Sequence, residues 1–156
     1  MVAGIGCRSG VSAEQVEAAI EAAMGTIGTA SRTLTAIATP AAKGHEPGII
    51  AAAASRGIPL MLISQSALEA ANSATLTRSE HSMAAMNVHS VAEASAVAAA
   101  AELADTTAIA SGDSARAAGA GGTAGAGGAK ATPRLLGPRI AVGPVTCALA
   151  DTPSAH

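Results

Sequence analysis

The chain's 156 residues suffice for one ordinary domain and not for two, and although 49% are hydrophobic, 43 residues are alanine and only 27 are Val, Ile or Leu, so a core must be assembled from small pieces. Phe, Tyr and Trp are all absent, which removes aromatic base-stacking platforms, membrane-interface belts and aromatic cages. A net charge of −2 supplies neither the basic field that phosphate backbones require nor an acidic tail, so nucleic acid and membrane are excluded as expected partners. Near-neutral charge together with clear apolar runs marks a folded chain. The chain opens on the apolar run from Val2 to Gly6, without the basic and apolar regions of a secretory signal. A cytoplasmic protein is expected, with Cys7 and Cys147 as free thiols.

In chain order, residues 2–6 read as a strand, and Cys7, Arg8, Ser9 and Gly10 as the turn after it. Ser12 followed by Gln15 forms a capping box, and Val16, Ala19, Ile20 and Ala23 recur at helical spacing, predicting a helix over 13–24. Alternation over 34–38 predicts a second strand. A loop with Lys43, Gly44, His45 and Glu46 leads to Pro47, which suits the first turn of a helix running to about Ser55. Gly57 closes that helix, and the continuous apolar run 59–63 predicts a parallel strand buried on both faces. Residues 66–71 read as a short helix capped by Ser64 or Ser66, and 75–81 as an irregular loop. Ser90 and Glu93 form a second capping box that opens an alanine-rich helix to about Leu103, whose lack of bulk implies close packing on a sheet.

Residues 105–132 are dominated by glycine, alanine and small polar groups and read as a flexible insertion. Residues 134–140 and 145–150 then form two strands around a turn at Gly143 and Pro144, a terminal hairpin beside the parallel strands. The expected fold is a single α/β domain over 1–156. It is an α/β sandwich with a mostly parallel sheet of about five strands and a C-terminal antiparallel hairpin.

The first loop lies where a dinucleotide fingerprint would sit, but its third glycine, Gly10, comes one residue late, and the second strand ends in Thr39 and Pro40 without the acidic residue that holds a ribose. What survives is a glycine-rich turn at a helix N-terminus with Arg8 beside it, suited to a carboxylate or phosphate. Lys43 and Glu46 follow the second parallel strand, where α/β proteins place ligand contacts, and could work as an acid/base pair. Equally, Glu46 could stabilise its helix N-terminus while Lys43 faces solvent. His45, His81, His89 and His156 have no companions at ligand spacing, so no metal site is expected.

Val2 to Arg8 followed by Ser12, Ala13 and Glu14, then Lys43 to Ile49, then Ser90 to Ala94, then Leu135 to Arg139 with Thr146 to Ala150, resemble in order and spacing the CobE and CbiG C-terminal domain family of cobalamin biosynthesis. The shortness of the chain resembles the stand-alone CobE form. The resemblance implies a three-layer domain with a mixed sheet acting on the corrin-ring pathway, with a precorrin or other corrinoid intermediate as ligand, other pathway enzymes as partners and no cofactor. CbiG-like proteins open a ring-derived lactone on a cobalt-precorrin and release acetaldehyde.

Precorrins carry acetates and propionates around a large ring, so a binding surface needs N–H-rich loops and a few cations. The candidate catalytic residues are Lys43 and Glu46, and the candidate substrate-binding residues Gly4, Gly6, Cys7, Arg8, Ser90, Glu93 and Arg139. Three functions follow as expectations: a protein that binds or processes a precorrin, a non-catalytic carrier serving the pathway methyltransferases, and a lactone hydrolase.

Overall fold

The computed structural model describes residues 1–28, 32–75, 90–110 and 132–152. Six strands form one mixed sheet: β1 (Val2–Cys7), β2 (Ala36–Pro40), β3 (Leu60–Ile63), β4 (Arg134–Leu135), β5 (Ile140–Val142) and β6 (Val145–Asp151). The order is β3-β2-β1-β6-β4, with β5 also on β6. β1 pairs parallel with β2, Val2 opposite Ala36, and β2 parallel with β3, Ile37 opposite Leu60. β6 runs antiparallel to β1, Cys7 opposite Val145. Helices α1 (Ala13–Thr26) and α2 (Pro47–Arg56) cover one face, and α3 (Gln65–Ala71) and α4 (Val91–Ala110) the other. The three-layer α/β/α arrangement with its antiparallel C-terminal strands is therefore the fold.

The two faces differ chemically. Alternate residues of the strands send Ile5, Ile37, Val145 and Leu149 toward Val16, Ile20 and Ile49 of α1 and α2, a branched aliphatic core. The opposite face offers mostly small residues at its centre, Gly4, Gly6, Ala36, Ala38, Ala148 and Ala150, with Val2 beside them. Against it lies α4, buried at every position from Ala92 to Ala100. An alanine helix on a glycine-alanine surface compensates for small side chains by close approach. A Cβ built on Gly4 would stand 2.0 Å from the Ala92 carbonyl oxygen and 2.5 Å from the Ala96 nitrogen.

Local signals place the helix ends. Ser12 accepts from the Gln15 amide while Gln15 returns a bond to the Ser12 amide, the reciprocal cap at α1. Pro47 starts α2, and Gly57, at φ 64°, closes it in the left-handed conformation. Arg56 ties α2 to α1 through Glu17, at 2.6 Å, and Glu21. Ser64 caps α3 by accepting from Ala67.

Four expectations change. The second strand runs 36–40 rather than 34–38, because its register is set by pairing with β1 and Thr39 anchors its end through a hydroxyl bond to the Ile5 carbonyl. β3 is not enclosed on both faces: it sits at the end of the strand order and Leu62 is 51% exposed. α4 continues to Ala110, past Leu103, so the first residues of the expected insertion are helical. The expected strand over 134–140 is two short strands, interrupted by residues 136–139, where Pro138 has no amide to donate. The rest of the glycine-rich segment, 111–131, and the expected loop beyond Thr75 lie outside the described residues. Among those described, no helix is long and apolar enough to cross a membrane.

Candidate functional site

The three parallel strands end on one edge of the sheet, and each hands the chain to a loop that begins a helix. β1 leads through residues 8–12 to α1, β2 through a short 3-10 turn, Ala41–Lys43, to α2, and β3 directly to Ser64 and α3. α4 starts at the same edge, since Val91 and the Ala92 amide lie beside Gly6, next to the last residue of β1. Four helix N-termini therefore converge here with their positive dipole ends, three of them capped by the hydroxyls of Ser12, Ser64 and Ser90.

The first two loops are locked together. Glu46 Oε2 accepts the Gly10 amide at 3.0 Å, and Lys43 Nζ donates to Ser9 Oγ at 2.9 Å. Lys43 Nζ stands 3.5 Å from Glu46 Oε1, a looser contact. Gly48 allows the fit, because a Cβ there would lie 2.2 Å from the Val11 carbonyl oxygen. Gly10 itself has φ 83°, a conformation that favours glycine.

Glu46 is largely covered, at 9% exposure. The Gly10 amide, with Ser9 and Lys43 adding to it against the effect of burial, holds its carboxyl below the ordinary glutamate range. This carboxylate is ionised at neutral pH and can accept a proton but has none to give. Lys43 keeps 29% of its side chain exposed and has a third N–H beyond those directed at Ser9 and Glu46.

Burial pushes the Cys7 thiol up, opposed by Lys43 and reinforced by Glu46, so it is a thiol rather than a nucleophilic thiolate near neutrality. Cys147, fully buried, is pushed up to about 12. A disulfide-exchange reagent at pH 8 is expected to label Cys7 slowly and Cys147 only when the chain unfolds. Equal labelling rates in the native protein would contradict this burial difference.

The site residues expected from sequence divide into two groups. Arg8 is exposed on the edge, its backbone amide donating to the Pro144 carbonyl at 3.1 Å, in the same loop as Ser9 and one strand from Lys43 and Glu46. Cys7 lies just below them. Gly4, Gly6, Ser90 and Glu93 are instead buried beneath or within the first turns of α4. Ser90 Oγ accepts the Glu93 amide at 3.4 Å, and Glu93 Oε1 accepts the Arg139 amide at 3.0 Å, joining α4 to the break between β4 and β5. Arg139 is half-buried at that break. Ser9 and Gly10, which complete the locked loops, are additions to the expected set. The one-residue displacement of the third glycine was their trace in the sequence.

Over residues 1–150 the chain matches the family described as Cobalamin synthesis G C-terminus. The chain belongs to this family. It is a cobalamin-biosynthesis protein of the CobE/CbiG type. Protein CobE from Sinorhizobium sp is 35% identical over 100 residues, which cover 64% of this chain and 65% of the relative, so the match spans just under two thirds of that protein's length.

Among solved structures, that of CobE, a protein from the cobalamin (vitamin B12) biosynthetic pathway, superposes with a TM-score of 0.74 at 28% identity, covering 96% of this chain and 87% of the other. Cobalamin biosynthesis protein chiG from Agrobacterium tumefaciens str. C58 superposes with a TM-score of 0.62 at 32% identity and 98% coverage of both chains. In this CobE/CbiG-type chain, the family match contains both locked loops, the buried Ser90 and Glu93, and the C-terminal strands up to Ala150.

Proposed function

We propose that this chain binds a precorrin-type intermediate of corrin-ring synthesis at the edge where the parallel strands end. The observation that carries this reading is the interlock of Gly10 and Ser9 with Glu46 and Lys43, which holds the two loops together and leaves Arg8 exposed beside them. Ring carboxylates would take Arg8 and the remaining Lys43 N–H as charge-assisted partners, with the helix N-termini adding a favourable field. Cys7 borders this contact, while Gly4, Gly6, Ser90 and Glu93 support it from below, and Glu93 ties Arg139 to the start of α4. The free thiols suit the reducing cytoplasm.

A carboxylate held ionised by hydrogen bonds is a weakened base, which supports a binding role for Glu46. In a catalytic version of the same site, such as lactone opening, Glu46 would act as the base and Lys43 as the proton donor. Because the chain has no Trp or Tyr, a bound tetrapyrrole is seen against a dark background. Titration with a precorrin is expected to shift the ligand's spectrum, and Arg8→Ala is expected to weaken binding roughly tenfold, or ~1.5 kcal/mol, by removing one charge-assisted contact. Unchanged affinity in Arg8→Ala would remove the first loop from the binding surface.

A further inference from the structure

We infer that Glu46 is a positioning residue: its carboxylate is the strut that holds Gly10 in the first loop and the internal counter-ion that competes with a ligand carboxylate for the charge of Lys43. This rests on the binding reading above and adds a division of labour within it.

Two distances carry the inference. Glu46 Oε2 lies 3.0 Å from the Gly10 nitrogen, a well-formed bond to a backbone amide 36 residues away, whereas Glu46 Oε1 lies 3.5 Å from Lys43 Nζ. The firm bond organises the loop, and the loose one leaves the ammonium available. Lys43 is steadied from its other side by Ser9 Oγ at 2.9 Å, so it keeps its place when a ligand arrives. The α2 N-terminus is pressed onto the chain at Val11, the Arg8 amide is held by the Pro144 carbonyl and the Ser9 hydroxyl by Lys43, so the strut is what holds Gly10 itself between these anchors. Glu46 also occupies the position before α2 without capping it by a side-chain bond. Its carboxylate is directed across to the neighbouring loop instead of to its own helix.

The two roles separate by substitution. Glu46→Gln keeps an oxygen to accept the Gly10 amide and loses the charge beside Lys43. Glu46→Ala loses both. The probe is uroporphyrin, a tetrapyrrole whose ring edge carries acetates and propionates, followed by absorbance, with amide hydrogen exchange at Gly10 measured in the same full-length proteins.

The expected result is that Glu46→Gln binds the porphyrin more tightly than the wild type. A unit charge removed near a partly exposed ammonium gives roughly a five-fold gain at low salt, shrinking as salt is raised. The Gly10 amide should stay protected in Glu46→Gln and exchange faster in Glu46→Ala, which should also bind more weakly than Glu46→Gln. Weaker binding by Glu46→Gln with Gly10 still protected would mean that the charge itself serves the ligand and would overturn the counter-ion role. Equal Gly10 exchange in all three proteins would overturn the strut. A wild-type chain that leaves the porphyrin unbound would overturn the binding reading, and the Gly10 comparison would still decide whether Glu46 positions the loop.

Discussion

Gly4→Ala is expected to cost at least ~3 kcal/mol of stability, the upper end of what overpacking does, a large share of a domain's usual margin of about 5–15 kcal/mol. The added methyl would fall 2.0 Å from the Ala92 carbonyl oxygen and 2.5 Å from the Ala96 nitrogen. Both obstacles are backbone of α4, so no side-chain rotation relieves the contact. α4 would have to lift from the sheet, and its buried alanines from Ala92 to Ala100 lose contact together because none is long enough to span a gap. Gly25 provides the control. It lies inside α1 with nothing within 4 Å of its added Cβ, and Gly25→Ala should stabilise by about 0.5–1 kcal/mol. Urea unfolding followed by circular dichroism checks both, and a Gly4→Ala protein within ~1 kcal/mol of wild type would contradict the close-packed account of α4.

Glu93→Ala should destabilise by roughly 2–4 kcal/mol, because it empties a fully buried site and strips the Arg139 amide of its acceptor. The consequence is local as well as global. Residues 136–139 interrupt the edge of the sheet, and Glu93 is the α4 group that holds the end of this break. Glu93→Gln retains an oxygen of the same reach and should recover most of the loss. If Glu93→Ala unfolds at the wild-type urea concentration, the carboxylate does not hold this break.

Much of the fold was legible because its signals are local. Ser12 with Gln15, Pro47, Gly57 and Ser64 each state a helix end through the chemistry of orphan backbone groups, and each appears where that chemistry puts it. The alanine run of α4 also announced close packing on a sheet. Its counterpart was hidden: Gly4 and Gly6 read as part of the strand over 2–6, where they lie, but a strand glycine that admits a helix backbone looks no different in sequence from one that admits nothing.

The place of β3 was hidden for a similar reason. An apolar run states burial preference and not position in the sheet, and the order was decided by β6 pairing with β1 on the other side. At the candidate site, Arg8, Lys43 and Glu46 were visible as charged residues after parallel strands. The bonds from Glu46 to Gly10 and from Lys43 to Ser9 join residues 34 to 36 positions apart, and no spacing rule encodes them.

The central claim is that a carboxylate-rich ring docks on the edge formed by residues 8–10 and 43–46. Amide chemical-shift mapping during titration with a cobalt-free precorrin tests it most directly. The account predicts that the largest shifts fall on Arg8, Ser9, Gly10, Lys43 and Glu46, with smaller ones at the first residues of α4. Shifts confined to the apolar depression between α1 and β5, at Ala23, Ile27, Gly137 and Ile140, would contradict it and move the binding surface to the other end of α1.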